Sequence, residues 1–253
     1  MPAANTVALI TGASAGLGVE FARQLSARGH RLVLAARRKE RLDQLAAELG
    51  SARAVAIDLS EQGAVARLMS DIQAAGEQVD LLVNNAGFGL TGRFAEQDPG
   101  RLRQMIDLNC GALVELCRSV APQMIQRRYG AILNVASTAA FQPGPGMAIY
   151  FATKAFVLSF TEALHEELRA SGVNVSALCP GPTATEFGEV AGFGKSIPKF
   201  AMARAAPVVR AGLKGLDRNR AVVIPGMLNK LSGQGHRLLP RAAVRKIAGA
   251  IKF

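Results

Sequence analysis

VALITGASAGLG, residues 7–18, runs a short apolar strand pattern into a glycine turn and on into the start of a helix. Gly12, Gly16 and Gly18 are spaced GxxxGxG, a variant of the more familiar GxGxxG. Small residues there let the backbone approach a pyrophosphate, while the free amides and positive dipole end of the following helix favour an anion. Ser14, Ala15 and Leu17, between the glycines, belong to the same candidate dinucleotide-binding turn.

Outward from this turn the chain keeps a βα rhythm. Strand-like runs at 31–36 (RLVLAA), 52–58 (ARAVAID), 80–85 (DLLVNN), 131–137 (AILNVAS), 174–180 (NVSALCP) and 221–225 (AVVIP) alternate with helical patterns, including a long one over 99–127. Strands separated by helices of this length imply parallel pairing with right-handed crossovers. Near-continuous apolar strands imply that helices cover both sheet faces. The expected fold class is therefore α/β: a Rossmann-type doubly wound parallel β-sheet flanked by helices, as one domain over 1–253. Between Pro182 and Arg204 the rhythm breaks into PTATEFGEVAGFGKSIPKF, which reads as a loop over a ligand at 183–204 with room for a short helix.

No run of eighteen apolar residues occurs, and the N-terminus lacks the pattern of a cleavable leader, so a cytoplasmic protein is expected. Cys110, Cys117 and Cys179 are widely spaced and read as small buried hydrophobes; with three scattered histidines, no metal site is expected. The net charge of +11 is concentrated at one end. Residues 195–253 carry thirteen Lys or Arg against the single acid Asp217, whereas residues 1–194 are nearly neutral. That basic C-terminal extension, 205–253, lacks tryptophan and tyrosine for stacking and shows no recognition-helix or zinc pattern, so a nucleic-acid partner is not expected. Its last part, RLLPRAAVRKIAGAIKF, has the spacing of an amphipathic helix packed on the domain, with weak contact to an anionic membrane surface or an acidic carrier as the other reading.

The chemistry-bearing residues lie further along. Tyr150 and Lys154 stand four apart in a helical pattern, one turn apart on one face, where the ammonium favours the phenolate. Unperturbed pKa values near ~10 and ~10.4 make neither a useful acid or base alone near neutrality. Ser137, closing a strand at the edge where ligands bind, can hydrogen-bond the oxygen on which charge grows during reduction of a carbonyl. After the second strand, where a carboxylate would bind a ribose 2′-hydroxyl, the chain reads Ala35-Ala36-Arg37-Arg38. Cations in place of that carboxylate suit a 2′-phosphate and favour NADP(H) over NAD(H). Asp58, closing the third strand, either accepts from an adenine amine or caps the next turn.

Six motifs in order make the resemblance specific: TGASAGLG (11–18), Asp58-Leu59, NNAG (84–87), Asn109 with Ser137, YFATK (150–154) and CPGPTATEF (179–187). Over nearly its whole length the chain resembles the short-chain dehydrogenase/reductase family. The resemblance implies a catalytic tetrad of Asn109, Ser137, Tyr150 and Lys154. It implies that Lys154 also holds the ribose, that Asn109 steadies a relay water, that Asn84 to Gly87 steady the central sheet beside the adenosine, with Asn85, Ala86 and Gly87 at the cofactor, that Leu59 beside Asp58 belongs to the cofactor site, and that Pro180, Gly181, Thr183 and Thr185 hold the nicotinamide. It also implies a homodimer or homotetramer paired through the long helices. The expected activity is an NADP(H)-dependent oxidoreductase reducing a ketone or aldehyde, or oxidising the matching alcohol. Phe88, Phe141, Phe187 and Phe193 follow motifs at the cofactor edge and are candidate walls for a lipophilic substrate, or core packing. The alternatives are a catalytically silent cofactor-sensing or interaction protein on the same fold, and a membrane- or acyl-carrier-docked 3-oxoacyl-type reductase.

Overall fold

In the computed structural model, which describes residues 6–192, 202–235 and 240–250, seven strands form one sheet. They are β1 (Val7–Thr11), β2 (Arg31–Ala36), β3 (Ala52–Ala56), β4 (Val79–Asn84), β5 (Gly130–Val135), β6 (Val173–Leu178) and β7 (Val222–Val223). All pairs are parallel, in the order β3-β2-β1-β4-β5-β6-β7. The order reverses at β1, between β2 and β4, and a cleft for a ligand opens at the carboxyl ends of strands where such a reversal occurs. The glycine turn leaves β1 at that point, and NNAG leaves β4 beside it.

The helices are α1 (Gly16–Ser26), α2 (Lys39–Leu49), α3 (Ala64–Ala74), α4 (Pro99–Ile106), α5 (Leu113–Arg127), α6 (Ala148–Leu168), α7 (Phe187–Ala191), α8 (Ala205–Asp217), α9 (Met227–Gly235) and α10 (Arg241–Ala250). Alternation along each strand divides the core into two layers. Ala8 and Ile10 of β1 pack with Phe21 and Leu25 of α1, Leu42 of α2 and Leu213 of α8. Val7 and Leu9 face the other way, onto the layer of Leu68 of α3, Leu116 of α5 and Val157 of α6. Burial on both faces is why these strands read as unbroken apolar runs.

Two elements depart from the sequence expectation. The stretch 99–127 is not one helix: a π-helical turn, Asp107–Ala112, separates α4 from α5 and carries Asn109. The last strand shrinks from five residues to Val222–Val223, because it lies on the sheet edge and Pro225 has no N–H to offer a ladder. The 183–204 loop closes at its base, where Thr183 bridges Ala203, and it contains the short α7. At the other end α10 buries Val244 and Ala248 and exposes Arg241, Arg245 and Lys246, the pattern of an amphipathic helix packed on the domain. Among the described residues no helix is long and apolar enough to cross a membrane.

Phe21 is fully buried in the layer that seats α1 beneath the glycine turn. Phe21→Ala is expected to lower unfolding stability by about 3–5 kcal/mol in urea titrations. A loss below about 1 kcal/mol would contradict this packing.

Candidate active site

The glycine turn has the shape its composition suggested. Gly12 and Gly16 take left-handed backbone angles (φ +66° and +54°), and a β-carbon on Gly18 would collide with the carbonyl oxygen of Gly12. The start of α1 carries no side-chain cap and no acidic residue in its first turn, so the cradle is closed to bulk and electrostatically suited to a pyrophosphate. NNAG is tied to it: Asn85 Nδ2 donates to the Thr11 carbonyl (2.9 Å), and Thr11 Oγ1 accepts from the amides of Asn85 and Ala86 (3.0 Å each). Thr185 lies against Gly16, at 3.0 Å from where a β-carbon would stand. Gly12–Gly18, Asn85–Gly87 and Thr183–Thr185 thus converge on one cleft.

Arg38 folds back over the turn, donating from Nε to Ser14 Oγ and from Nη2 to the Ser14 carbonyl (both 3.2 Å). Its Nη1 meets Glu186 Oε2 at 2.8 Å. Arg37 points towards Asp58 at 3.6 Å. Asp58 accepts from the amide and hydroxyl of Ser60 at 3.0 and 2.6 Å, so it caps the turn after β3. Burial pushes its carboxyl up, but the Ser60 bonds and the Arg37 charge outweigh this and leave it below the usual carboxylate range. The side chain of Leu59 belongs to the core beside Val65 and Leu68, which leaves only its backbone for a ligand.

Ser137, Tyr150 and Lys154 come together where β5 ends and α6 begins. Lys154, 5% exposed, donates to the Val135 carbonyl at 2.8 Å; among the described residues this engages one of its three ammonium protons. Burial pushes it down to about 8. Tyr150, 8% exposed, sits among Phe88, Met105, Met147 and Phe151. Burial pushes its phenol up to about 12, and the opposing pull comes from a hydrogen bond with Ser137. That differs from the sequence reading, which gave the pull to Lys154. The ammonium stands 5.8 Å from the ring centroid and is turned onto Val135. Ser137 also accepts from the Ala139 amide (3.1 Å), and the Pro180 carbonyl lies 3.5 Å from its oxygen.

Asn109, 1% exposed, is brought to the same place by the π-helical turn. Its Nδ2 donates to the Phe88 carbonyl (2.9 Å) and Thr153 Oγ1 (3.1 Å), and its Oδ1 accepts from the Phe88 amide (3.1 Å). The asparagine thereby clamps the segment after NNAG to α6. Of the candidate walls, Phe88 is buried under the guanidinium of Arg101 (4.8 Å to the ring centroid), and Phe187 packs against Tyr150 with centroids 5.3 Å apart. Phe141 instead packs on the core layer next to Gly233 of α9, and Phe193 lies outside the described residues. Sequence reading missed Thr153, Arg101, Arg41 and Glu186. Thr153 could have been found from its place inside YFATK; the other three act through contacts distant in sequence. Among the described residues no three His, Cys, Asp or Glu side chains stand close enough to hold a metal ion.

The model of the short chain dehydrogenase family matches residues 6–193, and the chain belongs to that family of oxidoreductases. It is 37% identical over 187 residues to the NADP-dependent 3-hydroxy acid dehydrogenase YdfG of Shigella flexneri, a match covering 73% of this chain and 75% of that protein. Among solved structures, a short-chain dehydrogenase from Sphingobium yanoikuyae in complex with NADPH superposes with a TM-score of 0.84 at 36% identity, over 98% of this chain and 96% of that one. The bulky-bulky ketone specific alcohol dehydrogenase from Comamonas testosteroni gives 0.79 at 32% identity, over 98% and 95%.

Because Ser137 supplies the hydrogen bond that opposes the burial of Tyr150, Ser137→Ala should move the phenol's titration to still higher pH. Ultraviolet tyrosinate absorbance in a Tyr129→Phe background reads that shift, and a titration that stays in place or moves down would contradict the pairing.

Proposed function

We propose that the protein is an NADP(H)-dependent carbonyl reductase acting on a lipophilic ketone or aldehyde, with Tyr150 as proton donor. One observation carries the reading: a buried tyrosine one helical turn from Lys154, with Ser137 as the group that opposes the effect of its burial, at the strand edge that also carries the glycine cradle. The cradle, the uncapped start of α1 and the two arginines fit a phosphorylated dinucleotide. Gly12–Gly18 would hold its pyrophosphate, Arg37 and Arg38 its 2′-phosphate, and the remaining ammonium protons of Lys154 its ribose. The absence of a carboxylate at the end of β2, an NADP-dependent relative and an NADPH-bound neighbour support NADP(H) over NAD(H). Bound NADPH supplies the hydride.

The chain's own groups do the rest. A phenol with a pKa of about 12 keeps its proton throughout the neutral range, so Tyr150 starts the reduction with a proton to give, although so high a value makes it a weak acid. Ser137 donates to the carbonyl oxygen as negative charge grows there, stabilising the transition state more than the ground state. As Tyr150 becomes a phenolate, Ser137 is the group that opposes the effect of its burial. Asn109 keeps Phe88 and Thr153 in place, and the second lone pair of its oxygen is where a relay water would bind. The rings of Phe88 and Phe187 beside Tyr150 support an apolar substrate, in keeping with a neighbour named for bulky ketones. The whole chain then works as one catalytic domain, with Thr185 and Phe187, from the described part of the loop, beside cofactor and substrate.

Turnover of NADPH and NADH with a panel of apolar ketones and aldehydes tests this. Replacing Arg37 and Arg38 together by alanine should weaken NADPH by about 10- to 100-fold, the scale of lost charge-assisted hydrogen bonds, and leave NADH nearly unchanged. Unaltered cofactor preference would remove the phosphate assignment. A protein that binds NADPH yet turns over no carbonyl would favour the silent cofactor-sensing alternative.

A further inference from the structure

Three consecutive residues touch three parts of the site. Thr185 lies against Gly16 of the glycine turn, Glu186 reaches the arginines after β2, and the Phe187 ring packs on Tyr150. Glu186 uses both carboxylate oxygens: Oε2 accepts from Arg38 Nη1 at 2.8 Å and Oε1 from Arg41 Nη1 at 2.5 Å. Arg38, with Arg41 behind it, holds the Glu186 carboxyl below its usual range. An anion with two oxygens between two guanidiniums is the arrangement a phosphate would seek. Here the protein supplies the anion itself, from a segment 145 residues and more away in sequence.

We propose that Glu186 is an internal stand-in for the cofactor's 2′-phosphate: the phosphate displaces it from Arg38 and Arg41, and the exchange shifts the neighbouring Phe187 against Tyr150. Glu186 is thus a positioning residue that couples cofactor choice to the shape of the substrate site. The inference rests on the assignment of Arg38 to the 2′-phosphate. An internal competitor lowers the apparent affinity for the external anion, because only the fraction of molecules with free arginines binds it. A carboxylate and a phosphate, both anionic, cannot share the arginines without cost, so the competition acts on 2′-phosphorylated ligands alone.

Calorimetric titration of the full-length protein with adenosine 2′,5′-bisphosphate and with ADP tests this without any turnover. Glu186→Gln should bind the 2′-phosphorylated nucleotide roughly fivefold more tightly, the scale of two exposed ion pairs, while ADP changes by less than about twofold. Because unaltered ADP binding reports an intact site, a lost fold cannot mimic this result. With no tryptophan in the chain, near-ultraviolet circular dichroism follows the tyrosines. The 2′-phosphorylated nucleotide should change that signal in the native protein and much less in Glu186→Gln. Weaker or unchanged binding by the variant, or a native signal that the nucleotide leaves untouched, overturns the proposal. Arg38→Ala separates the two levels: if it binds the bisphosphate as tightly as the native protein, the phosphate assignment has failed, and the role of Glu186 falls with it.

Discussion

An ammonium buried at the end of a parallel sheet is costly unless a partner compensates it, and the bond from Lys154 to the Val135 carbonyl is that partner. It ties α6 to the last residue of β5. Because Tyr150 lies one turn before Lys154 and Ser137 two residues after Val135, the same bond fixes phenol and hydroxyl against each other. Asn109 works on the opposite side, holding Phe88 to Thr153 of α6. The helix is therefore anchored to β5 and to the segment after β4, the two strands whose ends carry most of the site.

The two central groups are shifted by the same cause in opposite senses. Burial disfavours charge, so it raises the phenol to about 12 and lowers the ammonium to about 8. A pair shifted this way stores its proton on oxygen near neutrality. The lysine also lies close to losing its own proton just above that range, so a cationic role for it would weaken as pH rises past about 8. The raised phenol carries its proton near neutrality, the form in which reduction of a carbonyl begins, but as a weaker acid than an unperturbed tyrosine.

The sheet was legible because its physics is local. Strands covered on both faces must be apolar along their whole length, and β2 falls on the run RLVLAA without a residue's difference. The tetrad was legible as positions, through motif spacing and resemblance. Its electrostatics were not, because the partner that tunes Tyr150 depends on where a hydroxyl and an ammonium point. Asn109 needed the π-helical turn to reach Phe88, and a helical pattern over 99–127 gives no sign of that extra residue per turn. Phe141 and Phe187 looked equivalent in sequence; one turns to the core and α9, the other to Tyr150. Glu186 follows a recognised threonine, yet its meaning comes only from arginines on the far side of the cleft.

Proton delivery by Tyr150 is the claim on which the functional account turns. The direct measurement is steady-state reduction of an apolar ketone by Tyr150→Phe, paired with NADPH binding to the same protein. Loss of the hydroxyl alone should lower kcat by about 100-fold or more, the scale of a general acid's contribution, with NADPH affinity within about twofold of the native value. Undiminished turnover in the phenylalanine variant would contradict the account.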